Sequence, residues 1–245
     1  MFRGFLEEKL SINTCCVEKG CARGCADAYL CVRAATLFAY CRVTRFFKAC
    51  SGTVLSGGGS VTGFDVFGRR ARREGLRARS AFKLLSIQKK YGVLKNNDVI
   101  IDLGAFPGGW SSVASRFGSV VGVDMKPVEP IEGCRFVKGD FFDDAVVAQL
   151  PVADVVLSDA APATTGVRDQ DQFRSFVLAE RALFIAKQKL KRGGSFVCKV
   201  FQGREFESFV GEVRRVFSFV KTTKPEASRK ESKEMYLVAK GFEEV

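Results

Sequence analysis

Short apolar runs alternate with longer amphipathic stretches along most of the chain. Runs with the length and β-branched composition of strands lie at 98–101, 119–124 and 153–159, and in a segment that ends at Lys138-Gly-Asp140. Further strands are predicted at 193–201, 219–223 and 234–239, and helices at 111–117, 173–190 and 206–216. About seven strands with interleaved helices indicate an α/β fold with a doubly wound sheet. Residues 225–233, which join the last two strands, are too few for a crossover helix, so this pair is predicted to be antiparallel.

The most distinctive stretch is the loop after the first strand, Asp102-Leu-Gly-Ala-Phe-Pro-Gly-Gly-Trp110. Gly104, Gly108 and Gly109 lack a Cβ where the backbone must turn sharply and a ligand can approach the main chain. The free N–H groups at the start of the next helix favour a negative ligand group. The loop therefore predicts a cofactor site, with plain turn chemistry as the alternative. Phe106 occupies the position of the second glycine of a dinucleotide fingerprint, which disfavours NAD.

Three successive predicted strands are followed by, or end in, an aspartate: Asp124, Asp140 and Asp159. Ligands of an open parallel sheet lie outside the carboxyl ends of its strands, so these carboxylates are expected to converge on one crevice. Asp124 follows Gly104 by 20 residues, a separation at which an acid can bind both hydroxyls of a ribose. Helix N-capping is the alternative role for each aspartate. A nucleoside that carries a positive charge fits such a crevice better than one that carries phosphates.

The net charge of +12 is concentrated in the first third of the chain. Residues 1–83 contain 15 Lys and Arg against 6 acids, and such an excess favours a polyanionic partner, nucleic acid first. Within 69–83, a run of six arginines leads into a predicted amphipathic helix that begins near Ser80: Arg69, Arg70, Arg72, Arg73, Arg77 and Arg79. A solvated face is the alternative, but the position beside the predicted site favours contact with phosphates.

The chain contains no histidine, which excludes Ser-His and Cys-His catalysis and histidine-ligated metal sites. Any general base must therefore be a lysine, an aspartate or a glutamate, and no metal site is predicted. No apolar run approaches the roughly 20 residues needed to span a bilayer, and the first residues do not have the composition of a secretory signal. A cytoplasmic protein without membrane contact is expected.

Residues 1–60 differ in composition from the rest of the chain. They contain seven of the nine cysteines and end in the linker-like sequence Ser56-Gly-Gly-Gly-Ser60. A mobile extension is favoured over a zinc cluster, because no Cys-x-x-Cys pair occurs and the cysteine spacings are irregular. The alternative is a later translation start, which would exclude residues 1–53 from the native protein. Residues 61–245 are predicted to form the functional domain.

Across residues 68–242 the chain resembles the FtsJ-type (RlmE-type) ribosomal RNA large-subunit 2′-O-methyltransferases. The resemblance rests on the glycine loop and on five further motifs: Gly75-Leu-Arg-Ala-Arg-Ser-Ala-Phe-Lys-Leu84, Gly139-Asp-Phe141, Ser158-Asp-Ala-Ala-Pro162, Gly193-Gly-Ser-Phe-Val-Cys-Lys-Val-Phe-Gln-Gly203 and Ser228-Arg-Lys-Glu-Ser-Lys-Glu-Met-Tyr236. It implies S-adenosylmethionine (SAM) as cofactor. It also implies the Rossmann-like fold of SAM-dependent methyltransferases, a seven-stranded sheet whose last strand is antiparallel.

The same resemblance implies the functional residues. The catalytic Lys-Asp-Lys-Glu tetrad of the family corresponds to Lys83, Asp159, Lys199 and Glu234. Its SAM contacts correspond to Gly108, Trp110, Asp124, Asp140 and Asp159. Phe106 and Ala163 depart from the family pattern, which usually has alanine and asparagine there, and neither residue belongs to the tetrad.

The substrate implied by the resemblance is a uridine ribose in 23S ribosomal RNA, within an assembled large ribosomal subunit, and the enzyme is expected to be a monomer. Transfer RNA and messenger RNA caps are alternative substrates, and a non-catalytic RNA-binding or ribosome-assembly protein is the alternative function. Lys199 is the best candidate to accept the proton of the 2′-hydroxyl, for which it must be neutral part of the time. Alternatively, Lys199 orients the hydroxyl as a cation.

Overall fold

A computed structural model describes residues 66–163, 165–228 and 232–243 of the protein. Its strands are β1 (Asp98–Leu103), β2 (Gly118–Asp124), β3 (Cys134–Lys138), β4 (Ala153–Ser158), β5 (Leu190–Phe201), β6 (Phe217–Thr223) and β7 (Glu234–Phe242). Its helices are α1 (Val66–Arg73), α2 (Ala81–Tyr91), α3 (Gly109–Ala114), α4 (Asp144–Ala148), α5 (Arg168–Lys189) and α6 (Phe206–Arg214). The cysteine-rich residues 1–60 lie outside the described residues.

The seven strands form one sheet in the order β3-β2-β1-β4-β5-β7-β6. The five strands β1 to β5 are mutually parallel, whereas β7 lies between β5 and β6 and is antiparallel to both. The predicted α/β doubly wound sheet and its antiparallel last pair are thus confirmed. The ends of β1 to β5 and the start of β7 meet at one edge of the sheet, which we call the carboxyl edge.

The sheet is covered on both faces, as expected of parallel strands with continuous apolar runs. Successive residues of β1 point to opposite faces, and Ile100 belongs to the core shared with α2 and α3 whereas Ile101 belongs to the core shared with α4, α5 and α6. Phe196 and Phe209 are fully buried on the second face. No helix among the described residues is long and apolar enough to cross a membrane.

Several element boundaries differ from those predicted. Helix α3 begins at Gly109, two residues early, because Gly108 adopts a left-handed conformation and caps the helix. Helix α5 begins at Arg168, where its first turn carries Asp169 and Asp171 in place of apolar residues that would have marked a helical period. Such terminal turns have little apolar signal, so pattern alone placed the start too late.

Candidate active site

The carboxyl edge collects the predicted cofactor residues in the order of the strands. Asp140 follows β3, Asp124 ends β2, the glycine loop follows β1, and Asp159 follows β4. The aspartates therefore form a row along neighbouring strands, as the strand-end rule for parallel sheets requires. The structure thus places these residues along one edge, where the sequence predicts the cofactor to bind.

The glycines of the loop serve its packing against protein as well as its turn. Gly104 has φ +78°, and a Cβ there would lie 2.7 Å from the Cα of Ala160. Gly108 has φ +100°, and its Cβ would lie 2.9 Å from Cδ1 of Ile131. A side chain at Gly108 would therefore meet a neighbouring segment of the chain, a constraint that adds to the sharp turn and the ligand approach predicted from the sequence.

The Asp124 carboxylate is held by the backbone around it. Its Oδ2 accepts a hydrogen bond from the N–H of Phe106 at 3.0 Å, and its Oδ1 accepts one from the N–H of Lys126 at 2.8 Å. Each oxygen retains acceptor capacity for a ribose hydroxyl. The Phe106 side chain is 46% exposed, with Lys126 Nζ 5.1 Å from the ring centre, so the ring does not fill the loop.

Trp110 and Asp140 occupy different environments. The Trp110 side chain is only 2% exposed, and its indole N–H donates to the carbonyl oxygen of Ser80 at 3.0 Å. Its ring centre lies 5.7 Å from that of Tyr236, so the indole is engaged with protein. Asp140 is partly exposed, and its Oδ1 accepts from the N–H of Phe142 at 2.9 Å. Asp140 thus remains accessible to a ligand, whereas Trp110 is almost completely covered by protein.

Asp102, at the base of the loop, is a completely buried acid. Its Oδ2 accepts from the Ser111 hydroxyl at 2.6 Å, while its Oδ1 has no hydrogen-bond partner. Burial, together with the charges of Asp159 and Asp124, raises the pKa of Asp102 to about 7, although the bond from Ser111 lowers it. The charges of Asp124 and Asp159 near this loop create a negative field, which favours a cationic ligand.

The predicted tetrad is assembled at the same edge, on the side of β4 and β5. Lys199 Nζ lies 3.1 Å from Asp159 Oδ1 and donates to the backbone oxygen of Asp159 at 2.5 Å. Lys83, in the first turn of α2, donates to Glu234 Oε2 at 3.0 Å. Both lysines are buried, with 5% and 7% of their surface exposed. The four residues therefore form two ion pairs in which the lysines are buried and the carboxylates are partly exposed.

Tyr236 joins these two pairs and was given no role by the sequence. Its hydroxyl donates to Asp159 Oδ1 at 2.8 Å and accepts from Lys83 Nζ at 3.0 Å. In the β5–β7 ladder Lys199 stands opposite Tyr236, and Glu234 precedes Tyr236 by two residues, which places both β7 side chains on one face. The two-residue period from Glu234 was the signal that could have identified Tyr236.

The environment of Tyr236 keeps its hydroxyl protonated. The residue is fully buried, and burial together with the negative charges of Asp159 and Glu234 raises the pKa of Tyr236 well above its ordinary value. A neutral hydroxyl can donate to one pair and accept from the other at the same time. Tyr236 is therefore a positioning residue for the tetrad.

The arginine run divides into two side chains that bond to distant parts of the domain and a group on helix α1. Arg77 donates to the carbonyl oxygens of Glu129 and Pro130, and Arg79 donates to that of Ala227. These two side chains attach the segment before α2 to the rest of the domain.

The arginines of α1 lie on its surface. Arg70 forms an ion pair with Glu74 at 2.6 Å, whereas the neighbouring Arg72 and Arg73 are exposed. Phe67 of α1 packs against Phe82 of α2, with ring centres 5.7 Å apart, so α1 lies beside the start of α2, which carries Lys83.

This fold and site define a class. A seven-stranded sheet with an antiparallel last strand, a glycine loop after β1 and strand-end carboxylates that suit a nucleoside cation are those of a SAM-dependent methyltransferase. The comparison with known families specifies it further. The model for FtsJ-like methyltransferases matches residues 76–242, and the chain belongs to that family.

Relatives agree with this assignment over most of the chain. The ribosomal RNA large subunit methyltransferase E of Methanothrix thermoacetophila is 46% identical, with 72% of each chain covered. The protein of the same name from Marinobacter nauticus is 45% identical over 73% of this chain and 91% of its own. A crystal structure of a putative ribosomal RNA methyltransferase from Plasmodium falciparum is 29% identical, covers 68% of this chain and 98% of its own, and superposes with a TM-score of 0.60.

The residues present fit SAM, the cofactor of this family. SAM supplies a methyl group on a positively charged sulfonium, and the carboxylates of the edge complement that charge. The buried and unpaired Oδ1 of Asp102 offers a further acceptor beneath the glycine loop. No group of three or more metal-ligating side chains occurs among the residues that the structure describes.

Replacing Asp102 with asparagine is expected to change how stability depends on pH. The pKa of Asp102 is raised from 3.8 to about 7 in the folded protein, so between these values the folded state holds a proton that the unfolded state has released. The free energy of unfolding of the wild type should therefore fall, relative to Asp102→Asn, as the pH rises through that window. Urea unfolding from about pH 5 to about pH 8 measures the difference, on the order of a few kcal/mol. Parallel curves for the two proteins would contradict the raised pKa.

Replacing Tyr236 with phenylalanine should destabilise the protein. The change removes a buried hydroxyl that two ionised groups share, which typically costs about 1–3 kcal/mol. Tyr91→Phe is the matched control, because Tyr91 is only half-buried and should change stability by less than about 0.5 kcal/mol. Equal unfolding midpoints for Tyr236→Phe and Tyr91→Phe in urea would show that the bridge between the ion pairs contributes nothing.

Proposed function

We propose that the protein transfers a methyl group from SAM to the 2′-hydroxyl of a uridine in 23S ribosomal RNA, within the large ribosomal subunit. The observation that carries this proposal is the tetrad, in which Tyr236 joins the Lys199–Asp159 pair to the Lys83–Glu234 pair at the carboxyl edge. The names of the relatives, ribosomal RNA large subunit methyltransferases, support ribosomal RNA as the substrate. We assign Gly108, Trp110, Asp124, Asp140 and Asp159 to the cofactor.

The contacts of Lys199 suit a proton acceptor. A neutral amine has two N–H groups and one lone pair. The two oxygens of Asp159 that lie at 2.5 and 3.1 Å can accept those two N–H groups. The lone pair then remains for the proton of the ribose hydroxyl, and the transfer of that proton increases the nucleophilicity of the oxygen. In this arrangement Asp159 orients the amine of Lys199.

The Lys83–Glu234 pair positions the acceptor ribose and the neighbouring Lys199–Asp159 pair. Lys83 is held by Glu234 and by Tyr236, and its charge lies next to the pair that carries Lys199. Because both lysines are almost fully buried, water is excluded from the amine that receives the proton. Exclusion of water and fixed geometry are thus two contributions to an in-line transfer beside the proton acceptance by Lys199.

RNA is proposed to approach over α1 and the start of α2. The exposed Arg72 and Arg73 lie on the helix that leads into α2, on the side of Lys83, and phosphate contacts of this kind dominate the affinity for nucleic acid. The carboxyl edge, where the ribose must reach Lys199, is therefore flanked by cations that attract the backbone of the RNA.

The domain bounds, the oligomeric state and the cellular location are proposed from the same site and relatives. We propose residues 61–245 as the methyltransferase domain, because the family match and every assigned site residue lie within it. One chain supplies the whole tetrad, which supports action as a monomer. The substrate named for the relatives supports a cytoplasmic site of action.

Lys199→Ala is expected to abolish methyl transfer while leaving SAM affinity nearly unchanged. General acid–base groups typically contribute about 10²–10⁴-fold. Asp159→Ala should reduce both transfer and SAM binding, and Lys83→Ala and Glu234→Ala should have intermediate effects on transfer. Single-turnover transfer from labelled SAM to large subunits from cells that lack the enzyme gives the rate, and calorimetry gives SAM affinity.

Lys191→Ala is the matched control for Lys199→Ala, since Lys191 lies on the same strand but forms only a surface ion pair with Asp154. A Lys199→Ala protein as active as Lys191→Ala would remove Lys199 from the mechanism. A protein that binds SAM and RNA but methylates neither subunits nor free RNA would favour the non-catalytic alternative.

Replacing Arg72 and Arg73 with alanine should weaken RNA binding and reduce its salt dependence. Each lost phosphate contact should lower the slope of log affinity against log salt by about 0.7–0.9. Arg214→Ala with Arg215→Ala is the matched control, because these exposed arginines precede β6 at the opposite edge of the sheet. SAM affinity should be unchanged in both. Identical slopes for the two double variants would show that RNA docks elsewhere.

A further inference from the structure

Arg181 lies in the middle of α5, a helix that carries none of the assigned site residues, and its guanidinium reaches the turn that follows β3. Nε donates to the carbonyl oxygen of Phe141 at 2.9 Å, and Nη2 donates to that of Phe142 at 3.2 Å. The same nitrogen donates to Asp144 Oδ1 at 2.6 Å. The guanidinium lies 5.8 Å from the ring centre of Phe142 and 4.9 Å from that of Phe184. Arg181 thus holds the turn with three hydrogen bonds.

The turn that Arg181 holds determines where the Asp140 carboxylate lies. The Phe142 residue is fixed at both of its backbone groups, because its N–H donates to Asp140 Oδ1 and its carbonyl accepts from Arg181. The N–H of Asp143 also donates to the backbone oxygen of Asp140 at 2.9 Å. The Arg181 side chain is only 14% exposed, so its charge-assisted bonds are partly shielded from water. A shift of this turn would move the Asp140 carboxylate.

Asp140 is placed to contact the base of a nucleoside whose ribose binds Asp124. Strands β2 and β3 are paired at their ends, where Asp124 stands beside Lys138, and the N–H of Gly139 donates to the backbone oxygen of Asp124 at 3.0 Å. Because Asp140 follows β3 directly after this pairing, we expect a base attached to that ribose to extend over the end of β3. A carboxylate accepts hydrogen bonds, and the exocyclic amine of adenine donates them, whereas hypoxanthine has a carbonyl at that position.

We propose that Arg181 is a positioning residue for base selectivity in the cofactor site. It acts from the neighbouring helix, through the Phe142 peptide, and fixes Asp140 as an acceptor that prefers adenine to a base without the exocyclic amine. The inference rests on the proposed assignment of Asp140 to the cofactor. Arg181 contacts no ligand and takes no part in the transfer step.

The test measures binding of two nucleoside ligands to the full chain by calorimetry. The ligands are S-adenosylhomocysteine and S-inosylhomocysteine, its deaminated counterpart. The wild type should prefer the adenine ligand, and Arg181→Leu should reduce this preference roughly 10-fold, because the acceptor is no longer fixed. Arg181→Lys, which keeps one donor, should retain an intermediate preference and provides a milder variant if Arg181→Leu folds poorly. The KM for SAM should rise in both variants, with kcat at saturating SAM unchanged.

Two comparisons separate this inference from the assignment on which it rests. Lys187→Leu is the matched control, since Lys187 is exposed on the same helix and the change removes the same charge. Asp140→Asn tests the acceptor itself and should remove the preference for adenine. Loss of preference in Asp140→Asn but not in Arg181→Leu would overturn the role of Arg181 and leave the cofactor assignment in place. An unchanged preference in both Asp140→Asn and Arg181→Leu would overturn the assignment of Asp140 and the inference with it.

Discussion

The antiparallel pairing of β7 with β5 is the constraint on which the active site depends. In this ladder Lys199 faces Tyr236 and Phe201 faces Glu234. Because β7 runs against β5, its first residues lie at the edge where the parallel strands end, and Glu234 and Tyr236 join a site that otherwise consists of strand ends. A shift of one residue in the register would turn both β7 side chains to the other face of the sheet.

Two buried lysines are tolerated at this edge because every charge has a partner. An isolated ammonium in the interior carries a large desolvation cost, which an ion pair offsets only with good geometry and further hydrogen bonds. Lys83 and Lys199 each contact a carboxylate, and the neutral Tyr236 hydroxyl bonds to a member of each pair. The same bonds that satisfy the buried charges fix the positions of the amines, so stability and catalytic geometry have a common origin. At the base of the glycine loop, by contrast, Asp102 keeps one unpaired oxygen, and burial raises its pKa to about 7.

Much of the fold followed from local patterns in the sequence. Apolar runs of strand length located the strands, because a strand that is buried on both faces is apolar at nearly every position. The short connection after Pro225 predicted the antiparallel pair. The row of Asp124, Asp140 and Asp159 followed from one rule about parallel sheets. The start of α5 was predicted too late, because its first turn is polar and carries no apolar period.

The sequence by itself determined the class of fold, the edge at which the site lies and the residue types available there, because these depend on local periodicity and on strand ends. Only the tertiary structure decided the contacts between distant segments. Tyr236 joins the two ion pairs through β-sheet register, Arg181 reaches the turn after β3 from another helix, and the space beside Gly104 is taken by Ala160. Each of these contacts joins residues that are far apart in the sequence, and residue spacing along the chain does not predict such contacts.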